Sequence, residues 1–403
     1  MKILHVIPSL DPKEGGLSQA LRTMIGGLSM QRVENEVVSL DDPNVDFLND
    51  IGFTIHPLGN GTGPWKFNKK LLPWLLTNLS NFNVVVVHGL WVYPGYAVRK
   101  ALDLLLEHHN SPLPKLFVMP HGMLDPYFQL APDRKLKAIR NTIYWKLAEH
   151  KLIEKAEGLL FTCEDELTLA NVPFKPYNPK RNFVVGLGVD QPPAFTADMK
   201  SAFEKNSPGL NQSPYILFLS RINEKKGIDL LIAAYAKAVH ENDAEIERFP
   251  NTPTLPKLVI AGPGLETPYG TKIQHLVLSD RGLRKAVVFS GMLSGEAKWG
   301  AFYGCEAFIL PSHQENFGIA VVEALACGKP VLISNQINIW KEINQAGACY
   351  VAENTLEGTS VLLRLWGQAS SEQKLMMSKN ALNSFKTNFS TTQATKMLYR
   401  AIN

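Results

Sequence analysis

Pro311–Ser312–His313–Gln314–Glu315–Asn316–Phe317–Gly318–Ile319–Ala320–Val321–Val322–Glu323–Ala324–Leu325–Ala326–Cys327–Gly328–Lys329–Pro330 is the stretch from which the rest of the chain can be read. Residues 306–310 ahead of it suit a short buried strand, 317–327 form an almost wholly apolar helical run, and Gly328–Lys329–Pro330 is a stop signal. The pattern predicts strand, loop and helix in series, with Glu315 at the helix mouth and Glu323 inside it. Glu323 has Val321, Val322, Ala324 and Leu325 as neighbours, and a carboxylate in such surroundings needs a partner. If helical geometry held throughout, a 1.5 Å rise would set the two carboxylates about 12 Å apart. Taken alone, Glu315 reads by default as a cap and Glu323 as a buried structural residue. Convergent polar groups mark a site better than any single one.

The chain has 403 residues, enough for two domains that each bury their own core. Hydrophobic residues make up 45% and charged residues 19%, which fits a globular enzyme and excludes disorder. A net charge of +4 and a pI near 8.7 favour anionic small molecules or acidic lipid, and are too weak for nucleic acid. Cysteines at 163, 305, 327 and 349 are scattered without a Cys-x-x-Cys, which points to free thiols in a reducing cytoplasm and away from a metal centre. The apolar run at the start is too short for a signal peptide, and no segment reaches the ~20 apolar residues of a membrane span.

Residues 3–7, a Gly15–Gly16 loop and a helix over 17–30 form the opening unit of a doubly wound sheet. The two glycines allow either a ligand approach or a plain turn. Further strands are expected at 36–40, 53–56, 84–88, 116–119, 158–162 and 183–186, with helices at about 67–81, 93–109 and 133–156. His88 and His121 both fall just past strand ends, where open α/β sheets bind ligands. His121 is the better candidate, and Trp91 and Asp125 share these two loops. The segment 134–155 is a basic amphipathic helix that suits either peripheral contact with an anionic membrane or a solvated outer face, and 65–70 could extend the patch.

A Pro-, Ser- and Asn-rich stretch near 188–213 separates two strand–helix series. The expected division is an N-terminal domain 1–190, a linker 191–213, a second domain 214–385 and a last helix, 386–403, returning to the first domain. After the strand 215–219, Arg221 and Lys226 straddle the strand-to-helix loop, where two cations could hold a pyrophosphate. The loops at Gly262 and Gly291 repeat the strand–turn–helix theme and could read a base edge, though turn geometry explains the glycines equally well. With these cations, the Glu315–Glu323 spacing suits the reach from a hexose across a diphosphate to a ribose. The amides of Asn316, Phe317 and Gly318 would face the phosphates.

Arg221-x4-Lys226–Gly227, the Glu315-x7-Glu323 pair, Gly15–Gly16, His121 at a strand end and the joint Gly188–Val189–Asp190 together resemble the retaining glycosyltransferase family 4 over nearly the whole chain. The segment His121–Gly122–Met123–Leu124–Asp125–Pro126 is similar to members that build bacterial exopolysaccharide or lipid-linked glycans. The resemblance implies the GT-B fold, two Rossmann-like domains facing each other across a cleft, with the acceptor on the first domain and a UDP- or GDP-sugar on the second. It further implies Arg221 and Lys226 on the diphosphate, Glu323 on the ribose, and Glu315 with Asn316, Phe317 and Gly318 on the transferred sugar. Gly15, Gly16, Gly262 and Gly291 would line the donor; His88, Trp91, His121 and Asp125 would face the acceptor. No cofactor and no metal are expected, and Asp41–Asp42–Pro43 reads as a turn. A nucleotide-sugar 2-epimerase and a non-catalytic nucleotide-sugar-binding protein stay open as alternatives. A dehydrogenase is disfavoured because neither half has a Gly-x-Gly-x-x-Gly turn with its acidic ribose partner.

Overall fold

A computed structural model describes residues 1–14, 16–49, 51–108, 112–131, 134–249 and 255–403; Gly15 of the first strand-end loop lies outside the described residues. The chain divides into two units, Met1–Asp190 with Ser390–Asn403, and Gln191–Phe389.

The first unit holds seven strands: β1 (Lys2–Ile7), β2 (Glu34–Ser39), β3 (Thr54–Pro57), β4 (Val84–His88), β5 (Lys115–Met119), β6 (Gly158–Phe161) and β7 (Asn182–Val184). Their order in the sheet is β3-β2-β1-β4-β5-β6-β7, and every neighbouring pair is parallel. Sequence explains the centre of this sheet. Val84, Val85, Val86 and Val87 are β-branched and wholly buried, as a strand covered on both faces requires, and each contributes about 1.5–3 kcal/mol by burial. Helices such as Gly16–Met30 and Tyr93–His108 make the crossovers. The reversal of strand order falls between β1 and β4.

The second unit has β8 (Tyr215–Leu219), β9 (Lys257–Ala261), β10 (Val287–Gly291), β11 (Ala307–Leu310), β12 (Val331–Ser334) and β13 (Cys349–Ala352). Its order, β10-β9-β8-β11-β12-β13, is also all parallel and reverses between β8 and β11. Both units are therefore doubly wound. The strands β12 and β13 are short and go beyond the sequence reading. All four cysteines are free and buried.

The stretch 191–213, expected as a linker, is largely built into the second unit: the helix Ala197–Asn206 packs on the helix Gly295–Gly304, burying Met199 and Phe203. Thr196 caps it by accepting the Met199 N–H, so a stretch that looked Pro- and Ser-rich still carries a helix start. The chain re-enters the first unit at Ser390, and the helix Thr391–Ile402 buries Thr391, Thr395, Leu398 and Ile402 against Gly16–Met30. Their 4-3-4 spacing is the apolar stripe of a packed helix.

Close approach of these two helices requires a glycine. A Cβ on Gly27 would lie 2.0 Å from Thr395 Oγ1 and 3.2 Å from Thr395 Cβ. Gly27→Val should therefore lower unfolding stability by about 1–3 kcal/mol and loosen the last helix. Denaturant titration with limited proteolysis checks this; full stability with an uncut C-terminal helix would contradict the packing described.

Candidate functional site

In the second unit the loop after β8 is shaped by its own side chains. Asn223 accepts the Lys225 N–H at 3.0 Å, and Lys226 N–H donates to Asn223 O at 2.9 Å. Gly227 follows in the left-handed region, φ 66°, where a Cβ would lie 2.1 Å from Pro311 O. Only glycine lets this loop lie against the loop after β11. The two are then stitched together, because Ser312 Oγ (2.9 Å) and His313 N–H (2.8 Å) both donate to Lys225 O. The loop after β12 holds the far side: Glu315 N–H donates to Gln336 O at 2.9 Å, and Asn338 N–H donates to Glu315 O at 3.0 Å.

This framework places Lys226 Nζ directly on Glu315 Oε2, with side chains only 13% and 20% exposed. The two residues come from either side of the β8/β11 reversal, where doubly wound sheets bind ligands. Arg221 lies at the start of the same loop as Lys226 and is exposed. The helix behind Glu315 is Ile319–Ala326, not 317–327, because Gly318 stands at its N-cap with φ 78°, a left-handed conformation that no helix continues. Glu315 is thus in extended backbone, and the 12 Å spacing, which assumed continuous helix, does not apply. Phe317 is buried, edge-on to Phe389 with ring centroids 5.9 Å apart.

Glu323 has the partner its surroundings demand. Lys298 Nζ lies 2.5 Å from its Oε1, on the helix that follows Gly291. Burial pushes the Glu323 carboxyl up, and the Lys298 charge opposes that shift. Sequence reading missed Lys298; its signal is a cation one turn into a helix that starts at a strand-end glycine loop. Gly291 has φ 65° with open space where a Cβ would stand. Gly262 is explained by packing instead, since a Cβ there would fall 1.9 Å from Ser220 O.

In the first unit, His88 and His121 belong to one row. His5 Nε2 is 3.1 Å from Asn35 Oδ1, His5 Nδ1 is 2.9 Å from His88 Nε2, and His88 Nδ1 is 3.0 Å from His121 Nε2. His5 and His88 are wholly buried and His121 is partly exposed. Loss of water depresses His5 to about 4, against which the Asn35 hydrogen bond acts, and His121 to about 3; His88 is lowered by burial and by its two neighbours. All three rings are neutral at pH 7. His5 was hidden in the sequence as part of an apolar strand.

Two strained residues mark the same edge. Trp91 has φ 71° and His121 φ 52°, conformations that cost about 1–3 kcal/mol and persist where surroundings enforce them. Glu149 Oε1 accepts the Trp91 N–H at 2.7 Å from a π-helical turn, Trp145–Glu149. Glu166 accepts Gly122 N–H (2.6 Å), Thr162 N–H (2.7 Å) and Thr162 Oγ (2.6 Å), and so fixes the residue after His121. Trp91 itself is buried against Trp145 and Phe174, a core position that does not present its ring to a ligand. Asp125 is buried and accepts the Tyr127 N–H at 2.8 Å. Gly16 is the first residue of the helix Gly16–Met30. Among the described residues, no group of three or more His, Cys, Asp or Glu could hold a metal ion.

Residues 200–381, all within the second unit, match the family described as Glycosyl transferases group 1. A protein of Methanocaldococcus jannaschii named an uncharacterized glycosyltransferase is 33% identical over 120 residues, 30% of this chain and 27% of that one. A D-inositol 3-phosphate glycosyltransferase of Geodermatophilus obscurus is 28% identical over 189 residues, 46% of this chain and 40% of that one. The chain thus spans less than half the length of these relatives. Over the whole chain, the structure is similar to Anabaena HepE in complex with UDP and glucose, with a TM-score of 0.73 at 15% identity, covering 100% of this chain and 99% of that one. Together with the two parallel sheets, this likeness shows the GT-B fold.

Glu149 supplies a pH test of the clamp on Trp91. Burial raises its carboxyl to about 8 from an ordinary 4.5. Between those values the folded chain keeps a proton that the unfolded chain has released, so stability falls as pH rises through that window. Glu149→Gln keeps an acceptor and cannot titrate. Relative to the parent it should gain stability from pH 5 to pH 8, at up to ~1.4 kcal/mol per pH unit. Urea unfolding at several pH values measures this, and parallel pH profiles for the two proteins would refute the assignment.

Proposed function

We propose that this chain is a retaining glycosyltransferase of the family 4 type that moves a hexose from a nucleotide-diphosphate sugar to a hydroxyl of a glycan, lipid-linked or small-molecule acceptor. The observation that carries the reading is the Lys226–Glu315 pair, built by stitched loops at the reversal of the second sheet within the region that matches glycosyl transferases group 1. UDP is the first nucleotide to try, because HepE was solved with UDP and glucose, and GDP is the second.

Breaking a glycosyl–phosphate bond develops negative charge on the departing diphosphate, and fixed cations aimed there are the largest catalytic contribution available. Arg221 and Lys226 take that role, so the reaction uses no metal and no resident cofactor. Lys226 is held in place by Glu315 before any substrate arrives, which lowers the cost of organising the site. Glu315 keeps a second carboxylate oxygen for a sugar hydroxyl. The Glu323 carboxylate, oriented by Lys298, takes the ribose hydroxyls. His121 faces the sugar or acceptor with a neutral ring. Retention follows if the diphosphate takes the acceptor proton on the face from which it leaves.

The acceptor side suits a lipid-linked substrate. On the segments Lys135–Tyr144 and Trp145–Glu149, Leu136, Ile139, Ile143 and Leu147 are 84%, 59%, 54% and 69% exposed. They form an outward apolar stripe flanked by exposed Lys135, Lys137, Lys146 and Lys151, and exposed Trp65 stacks on Tyr144 beside it. Apolar anchors framed by lysines fit the surface of an anionic membrane. No helix among the described residues is long and apolar enough to cross one. We place the protein in the cytoplasm, peripheral at the membrane; four buried free thiols fit a reducing compartment.

Screening UDP-, GDP- and ADP-sugars for binding and slow hydrolysis identifies the donor. Lys226→Ala and Glu315→Ala should each lower kcat/KM for transfer about 100-fold or more while circular dichroism and Tm stay near the parent values. Near-normal turnover in either variant would remove the site assignment. For the surface, co-sedimentation with phosphatidylglycerol vesicles should be lost when Leu136, Ile139, Ile143 and Leu147 are changed together to Gln; equal binding by that variant would rule out the stripe.

A further inference from the structure

The row Asn35–His5–His88–His121 crosses four neighbouring strands or strand ends and has a direction that can be worked out atom by atom. Asn35 Nδ2 donates to Val33 O at 2.8 Å. A carbonyl oxygen only accepts, so the amide nitrogen must face Val33 and the amide oxygen must face His5. His5 Nε2 therefore carries the proton. Because the ring is neutral, its Nδ1 is an acceptor, and His88 Nε2 must donate to it. The same step repeats at His88, whose Nδ1 accepts from His121 Nε2. The last ring then has its proton on Nε2 and a lone pair on Nδ1. That nitrogen makes no hydrogen bond to a described residue, and His121 is the partly exposed end of the row.

We propose that Asn35, His5 and His88 are positioning residues that lock His121 in the Nε2–H tautomer, so that Nδ1 is presented as a hydrogen-bond acceptor to a hydroxyl of the sugar ligand. The order of tautomers stands on the hydrogen bonds of three neutral rings, whereas its use against a sugar hydroxyl rests on the glycosyl-transfer reading. The geometry around His121 supports a fixed acceptor. Its backbone is held left-handed by Glu166 on the Gly122 N–H, and the three rings succeed one another at centroid distances of 5.2 and 5.3 Å. A free imidazole samples both tautomers. Here a carbonyl two strands away from β4 selects one of them.

The row also makes a prediction that a merely structural role does not. An ionised carboxylate at position 35, having no donor for Val33 O, would turn its oxygens to His5 and favour a proton there, so that His5 would donate from both nitrogens. His5 Nδ1–H would donate to His88 Nε2, His88 Nδ1–H would donate to His121 Nε2, and the outward atom of His121 would change from acceptor to donor. Asn35→Asp should thus reverse both imidazole–imidazole bonds of the row without touching His121.

The test is long-range 1H–15N spectroscopy of the full chain with 15N-labelled histidine at pH 7, assigned with His121→Asn. The parent protein should show Nε2–H for His5, His88 and His121. An Nδ1–H form or an even tautomer mixture at any of the three overturns the row, whether or not a variant folds. In Asn35→Asp, His121 should switch to Nδ1–H; a folded variant that keeps Nε2–H overturns the coupling. Its kcat/KM with the nucleotide sugar found by screening should fall about tenfold, and Asn35→Gln, which can keep the amide orientation, should lose less. A switched tautomer with unchanged kcat/KM overturns the role against the sugar. A parent protein without turnover on any nucleotide sugar would overturn the glycosyl-transfer reading, and the spectrum would still decide the row.

Discussion

Parallel strands buried on both faces leave a sheet few places where polar chemistry can reach a ligand, and that constraint shapes both halves of this chain. The carboxyl-terminal edge is the place where the loops turn outward, and the reversal of strand order is where adjacent loops part. Each unit uses its first strand and the strand across the reversal. In the second unit these are β8 and β11, which bring Lys226 to Glu315. In the first they are β1 and β4, which carry His5 and His88 side by side. One architecture has been furnished twice, with an ion pair in one case and a row of neutral imidazoles in the other.

Buried carboxylates keep these edges in shape. Glu149 holds the left-handed Trp91 and Glu166 holds the glycine after the left-handed His121, so backbone conformations that would otherwise relax are enforced from the helical layer. Glu323 and Lys298 fix one another within the second unit. A polar group inside a protein is tolerated when it is paired or hydrogen-bonded, and here the same bonds that satisfy these carboxyl groups also aim a neighbour.

Local signals carried most of the fold. The all-Val strand β4, the apolar β8 and the Gly-punctuated loops were legible because period and turn chemistry act over a few residues. Glu315, Glu323, Arg221 and Lys226 stood out by residue type. What could not be read was who meets whom. Lys226 and Glu315 are 89 residues apart, and their contact depends on a loop approach that only the folded sheet provides. His5 looked like one more residue of an apolar strand, and its meaning appears only beside His88, 83 residues later. Lys298 was a plain helical lysine until Glu323 came within reach. The start of the helix at Ile319 was misplaced because the hydrophobic pattern runs through Phe317, while the left-handed Gly318 breaks it. The short strands β12 and β13 had too few residues for a period to show.

The return of the chain to the first unit at Ser390 has a consequence for synthesis. The second unit is one uninterrupted run, Gln191–Phe389, and can assemble as it leaves the ribosome. The first unit, although made first, lacks its closing helix until residue 402 has emerged. Until then the face of Gly16–Met30 around Gly27 that Thr395 and Leu398 will cover stays open to water and to chaperones. Translation order and completion order are therefore opposite in this protein, and the half that carries His121 is finished last.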